Sequence, residues 1–215
     1  MSAETLLKVL DNNKSDKGVS TKGHHYHLVY GPDFGLVQDK PINILEVGIF
    51  KGTSHQTWID FFPNAQVYGI DVFTRLKPKD VPVLEDPRCH YITADSTKSN
   101  LGDLVKEAFG EDIKFDIIID DGLHTPDANK KTFENLMPFL KDDGYFYIED
   151  IWPIDILTVG EAKYPFFNRP ENKPKYTQEE YAKFLEALNV YPSVTHYDYR
   201  VPSRLPDSYV IKIGK

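Results

Sequence analysis

The sequence predicts an α/β fold: a Rossmann-like, doubly wound, mostly parallel sheet that ends in a C-terminal antiparallel hairpin. Three observations support this. Short apolar, β-rich runs recur along the chain, helical patterns separate the first five of them, and several runs are almost continuously apolar. Strands covered on both faces need such runs, whereas a half-solvated strand alternates. Strands that alternate with helices build a parallel sheet whose ligands bind at the carboxyl ends of its strands.

The expected strands are INILEV (42–47), AQVYGID (65–71), CHYITA (89–94), FDIIID (115–120) and YFYIED (145–150). Helices are expected over 53–62, 74–86, 100–109 and 126–140. Thr125 is placed to cap the last of these, with Pro126 at its first position. A further helix over 178–189 opens with Thr177 and Glu180 at capping-box spacing. Strands near 194–200 and 208–213 have no helical pattern between them, which suggests the hairpin.

At 215 residues, one domain spanning 1–215 is expected, with an N-terminal helical segment over 1–40. Residues 151–176 mix prolines with aromatics without a clean period, as expected of an acceptor-site loop or lid. No apolar run approaches the ~20 residues of a membrane helix. The opening MSAETLLKVLDNNKSDKG lacks the basic head and apolar stretch of a secretory leader. Cys89 is the single cysteine, so an internal disulfide is excluded and a reducing, cytoplasmic setting is expected. A net charge of −8 with scattered lysines argues against a nucleic-acid partner.

The first strand runs into Glu46-Val47-Gly48-Ile49-Phe50-Lys51-Gly52-Thr53. Glycines in a strand-to-helix turn let the backbone approach a ligand closely. This spacing is neither the dinucleotide fingerprint nor a P-loop. The second strand ends in Asp71, placed to accept the hydroxyls of a ribose. The third ends in Asp95 and Ser96, where an adenine edge would lie. The succession resembles the cofactor half of class I methyltransferases. That resemblance implies S-adenosylmethionine as cofactor, with Glu46, Gly48, Gly52, Thr53, Asp71, Asp95, Ser96 and Asp120 around it.

The fourth strand ends in Asp120-Asp121-Gly122-Leu123-His124 and the fifth in Glu149-Asp150. Neighbouring strand ends would crowd these carboxylates, and a hard divalent cation would relieve their repulsion. Oxygen ligands favour Mg²⁺, Mn²⁺ or Ca²⁺. His124 can face the same pocket as a base. The alternatives are ordinary ones: a capping carboxylate pair and a packing histidine.

Ile119-Asp120-Asp121-Gly122-Leu123-His124, followed by Phe139-Leu140-Lys141-Asp142-Asp143-Gly144-Tyr145-Phe146-Tyr147-Ile148-Glu149-Asp150, resembles metal-dependent sugar O-methyltransferases of the macrolide-sugar and rhamnosyl group. The resemblance implies Asp121, Glu149 and Asp150 as metal ligands and His124 as general base. The acceptor would be a deoxyhexose such as rhamnose, in a glycan or glycoside. Ser15-Asp16-Lys17-Gly18 followed by His24, Tyr26 and Tyr30 is similar to the segment preceding the cofactor loop in that group. His24, Tyr26, Tyr30 and Trp152 are therefore expected at the acceptor, although the first three also fall at helical packing distance. Catechol-type methyltransferases, cephalosporin-hydroxylase-like oxidases and a non-catalytic domain remain as rivals. A homo-oligomer, or a place within a larger glycan-building enzyme, stays open.

Overall fold

A computed structural model describes residues 2–20, 23–152, 169–172 and 175–215. Its strands are β1 (Asn43–Val47), β2 (Gln66–Asp71), β3 (Cys89–Thr93), β4 (Phe115–Asp120), β5 (Leu140–Ile148), β6 (Ser193–Asp198) and β7 (Tyr209–Gly214). They form one seven-stranded sheet in the order β3-β2-β1-β4-β5-β7-β6. The first five strands run parallel to one another, and β7 runs antiparallel to both β5 and β6. The helices are α1 (Ser2–Asn12), α2 (His27–Val37), α3 (Thr53–Phe61), α4 (Leu101–Phe109), α5 (Pro126–Leu136) and α6 (Gln178–Leu188).

The continuous apolar run of β4 has its explanation in two cores. Ile117 and Ile119 pack with Tyr30, Phe34 and Trp58 from α2 and α3 on one face. Ile118 packs with Phe133, Phe146 and Phe184 on the other. Phe146 is fully buried and meets Phe133 edge-on, with ring centroids 5.2 Å apart. Phe146→Ala should cost about 3–5 kcal/mol of stability. Denaturant unfolding reads this directly, and a loss under ~1 kcal/mol would contradict the assigned packing.

Local signals hold at two caps. The Thr125 side chain accepts from the Ala128 amide at 3.2 Å, and that of Thr177 from the Glu180 amide at 3.1 Å. Elsewhere the boundaries differ. Instead of a helix over 74–86 there are two short 3-10 turns, Pro78–Asp80 and Pro82–Glu85. Each begins on a proline, which has no amide to donate to an α-helical ladder. The helix expected over 126–140 stops at Leu136, a 3-10 turn containing Pro138 follows, and β5 begins at Leu140. The terminal strands do pair antiparallel, but β7 inserts between β5 and β6, and a single helical turn (Arg200–Ser203) joins them. Residues 153–168, with Tyr164, Phe166 and Phe167, lie outside the described residues, as do 173–174, and with them most of the expected lid. No helix among the described residues is long and apolar enough to cross a membrane.

Candidate functional site

Loops at the carboxyl ends of β1, β2 and β4 are locked together. Gly48 and Gly52 have φ of +92° and +74°, values that side chains with a Cβ rarely adopt. A Cβ on Gly48 would stand 2.1 Å from the Asp121 carbonyl oxygen, so only glycine allows the loop to lie against the end of β4. Gly48→Ala should therefore displace the Asp121 segment and weaken cofactor binding by about tenfold or more, as calorimetry would show. Unaltered affinity would remove this loop from the cofactor site.

Asp71 joins two loops. Its Oδ2 accepts from the Ile49 and Phe50 amides at 2.8 and 2.9 Å, and its Oδ1 from the Phe73 amide at 2.6 Å. Carboxylate oxygens keep further lone pairs, so a ribose hydroxyl could still be accepted. Thr53 opens α3. Asp95 Oδ1 accepts from the Thr97 amide and hydroxyl at 3.0 and 2.6 Å, and Ser96 Oγ lies 2.7 Å from Thr132 Oγ1. Asp120 is buried and accepts weakly from the Gly122 amide at 3.3 Å. Burial pushes its carboxyl up to about 7, with Asp121 adding to the rise and His124 opposing it.

Glu46 has internal partners. It is fully buried beneath the loop, and its Oε2 accepts from Trp58 Nε1 at 2.9 Å. His55 Nδ1 lies 3.0 Å from the same carboxylate, and Lys17 Nζ lies 3.4 Å from Oε1. These internal partners anchor the end of β1. Burial alone would raise its pKa; Lys17 and His55 override this and hold it at about 2.

Strands β4 and β5 are neighbours, with Asp120 level with Ile148, so Asp121, Glu149 and Asp150 emerge on one rim. Asp121, His124 and Asp150 each offer a ligand atom, all within 4.8 Å of one another. His124 Nε2 lies 3.6 Å from Asp121 Oδ1. Its Nδ1 is buried without a hydrogen-bond partner among the described residues. His124 and Asp150 both adopt the left-handed backbone, at φ of 57° and 53°. That conformation costs about 1–2 kcal/mol at each residue. Strain of this kind persists where the surroundings over-determine it, and here it aims both side chains into one space.

Glu149 sits deeper on the same rim. It is buried outside that trio, and accepts from Lys17 Nζ at 2.5 Å and from the Tyr30 hydroxyl. Lys17 Nζ also donates to Asp121 Oδ2 at 2.5 Å. The cation standing between Asp121 and Glu149 is thus an ammonium. Burial opposes its charge, but Asp121, Glu149 and Glu46 outweigh burial and raise its pKa well above the usual lysine value.

Burial raises the Asp121 carboxyl to about 6 despite Lys17. Glu149 is pushed up in the same way, by burial and by its neighbouring acids against Lys17. Asp150 moves down: burial opposes this, and His24, His124 and the Tyr26 hydroxyl prevail. Burial would lower the His124 pKa, but Asp150, Asp121 and Asp120 raise it.

The residues expected at the acceptor lie against the rim. Tyr26 and Tyr30 are fully buried, and their rings meet edge-on at 6.4 Å. The Tyr26 hydroxyl donates to Asp150 Oδ1 at 2.7 Å, as the Tyr30 hydroxyl does to Glu149. Both phenols are held protonated by burial and by those acids. Their role in the geometry is to fix the rim from behind. His24 stacks on Tyr26 at 5.0 Å, with Nδ1 2.8 Å from Ser208 Oγ and 3.5 Å from Asp150 Oδ1. Trp152 lies just past the rim, edge-on to Tyr176 at 6.5 Å. Lys17 is the residue whose part the sequence did not disclose; its place in the Asp-Lys-Gly run was the only signal.

The sheet order, the reversed β7 and the glycine loop define the class I methyltransferase fold. MycE methyltransferase from the mycinamycin pathway, solved with Mg and SAH, aligns with 98% of this chain and 54% of its own at a TM-score of 0.68 and 22% identity. SAH-bound Podospora anserina methyltransferase PaMTH1 aligns with 97% of this chain and 86% of its own, at a TM-score of 0.58 and 17% identity. In sequence, the chain is similar to sugar O-methyltransferases. The Streptomyces olivaceus 8-demethyl-8-(2-methoxy-alpha-L-rhamnosyl)-tetracenomycin-C 3'-O-methyltransferase is 29% identical over 136 residues, which is 60% of this chain and 33% of that protein. Mycinamicin VI 2''-O-methyltransferase of Micromonospora griseorubida is 28% identical over 136 residues, 60% of this chain and 32% of that protein. The match thus spans about a third of the length of these curated relatives. No family model matches the chain.

Proposed function

We propose that this chain carries an S-adenosylmethionine-dependent, divalent-metal-dependent O-methyltransferase activity on a sugar hydroxyl, with a deoxyhexose of the rhamnose type as acceptor. The observation that carries the reading is the meeting of Asp121, His124 and Asp150 within 4.8 Å at the ends of β4 and β5, with Gly48 packed against Asp121. The similarity to methyltransferases of rhamnosyl and macrolide sugars supports the acceptor class.

The residues suit both groups. The cradle at Gly48 admits a ligand where a side chain would collide, and Asp71 keeps acceptor capacity for a ribose. Asp121 and Asp150 supply the oxygen donors that Mg²⁺ or Mn²⁺ prefers, and Tyr26 fixes the orientation of Asp150. S-adenosylmethionine, when bound, supplies an electrophilic methyl group on a sulfonium. The divalent ion, when bound, supplies positive charge that acidifies a nearby hydroxyl. His124 accepts the proton of the acceptor hydroxyl as the oxygen–carbon bond forms and the sulfur–carbon bond breaks. The strained backbone at His124 and Asp150 holds base and acid facing one another, which is the positioning such a transfer needs. Trp152, just past the rim and edge-on to Tyr176, is the aromatic side chain proposed to meet a pyranose. Cys89, the one cysteine, is buried, which suits the cytoplasm as the proposed compartment.

Transfer of labelled methyl from S-adenosylmethionine tests the reading. Label should appear on rhamnosides and not on phenolic diols. Labelling of catechols alone would replace the sugar with a small aromatic acceptor.

A further inference from the structure

We propose that Lys17 is a resident cation that competes with the divalent ion for Asp121 and Glu149, and that ion entry moves its ammonium toward Glu46. The inference rests on the metal reading above and deepens it. Lys17 is almost wholly buried, and its Nζ lies 2.5 Å from both Asp121 Oδ2 and Glu149 Oε2. An ammonium at that distance occupies one acceptor site on each of these two oxygens, and its charge opposes a second cation beside them. Without a cation, the facing carboxylates would repel across a dry space, so the ammonium keeps the rim assembled.

A second observation provides the destination. Glu46 Oε1 is buried, makes no hydrogen bond among the described residues, and stands 3.4 Å from Lys17 Nζ. A small shift of the flexible four-carbon stem would turn that loose contact into a close, charge-assisted one. The rest of the Glu46 carboxylate is held by Trp58 and lies beside His55, so the receiving group is already fixed. Lys17 is accordingly a positioning residue that sets the affinity of the ion. Because Glu46 anchors the strand that runs into the glycine loop, the same movement links ion and cofactor sites.

Calorimetric titration with Mn²⁺ tests this on three proteins: wild type, Lys17→Met and Glu46→Gln. Removing the competitor should tighten Mn²⁺ binding by about tenfold in Lys17→Met, even as turnover falls. A purely structural lysine gives the opposite sign, since a loosened rim binds more weakly. Glu46→Gln keeps the shape and the acceptor for Trp58 but removes the charge that receives the ammonium, so Mn²⁺ should bind about tenfold more weakly. Unchanged or weaker binding in Lys17→Met overturns the proposal. If that variant fails to fold, Glu46→Gln decides alone, and unchanged affinity there overturns it. Should wild type take up no Mn²⁺ while Lys17→Met does, the metal-dependent function fails and the competition stands. Uptake by neither removes both.

Discussion

His124→Ala lowers kcat by about 10²–10⁴-fold, the usual worth of a positioned general base, while cofactor affinity stays within about threefold. His124 lies beyond Gly122 on the rim, its Nδ1 has no hydrogen-bond partner among the described residues, and Nε2 faces Asp121 at 3.6 Å. Neither Gly48 nor Asp71 depends on it: the Asp71 carboxylate is held by the Ile49, Phe50 and Phe73 amides. Calorimetry with S-adenosylhomocysteine and single-turnover kinetics separate the two quantities. Lost cofactor binding with normal chemistry would contradict the assigned role. The pH profile adds a sign. Asp150, Asp121 and Asp120 outweigh burial and raise the His124 pKa. Only neutral imidazole accepts a proton, so kcat/KM should fall at acidic pH as His124 becomes protonated. The substitution should flatten this acidic limb.

Stripping divalent ions should lower turnover by ~10²-fold or more, equivalent to about 3 kcal/mol of barrier, and added Mg²⁺ should restore it. Lys17 answers part of the charge at Asp121 and Glu149, while the Asp121, His124 and Asp150 side of the cluster faces the shared space. Burial, with neighbouring acids adding to it, raises Asp121 to about 6 and pushes Glu149 up despite Lys17. Cofactor-loop geometry survives chelation, because Gly48 and Asp71 are held by protein groups. Full turnover in a chelated, metal-free preparation would take the ion out of the reaction.

The parallel sheet was legible because burial on both faces leaves a trace in one strand: Ile117, Ile118 and Ile119 feed opposite cores. The rim was legible for a related reason. Adjacent strands bring their ends together, so Asp121 and Asp150 could be paired without knowing any distance. Two elements misled. The 74–86 stretch has a helical composition interrupted by Pro78 and Pro82, and missing amides decided it. Pro138 likewise ended α5 before the expected boundary. Within the site, the side chains of His24 and Tyr26 meet Asp150, and that of Tyr30 meets Glu149. Local spacing cannot show which way a buried phenol points. Lys17 was harder still, since its partners Asp121 and Glu149 are 104 and 132 residues away and no periodicity joins them.

The account depends most on one spatial claim: Asp121 and Asp150 share a divalent cation next to the glycine loop. A crystal grown with Mn²⁺ and S-adenosylhomocysteine, with data collected at the manganese edge, addresses it directly. The account predicts one anomalous peak bonded to both carboxylates, with the sulfur of the cofactor product on the Gly48 side. A rim without anomalous density at saturating Mn²⁺, with the Lys17 ammonium still between Asp121 and Glu149, would contradict it.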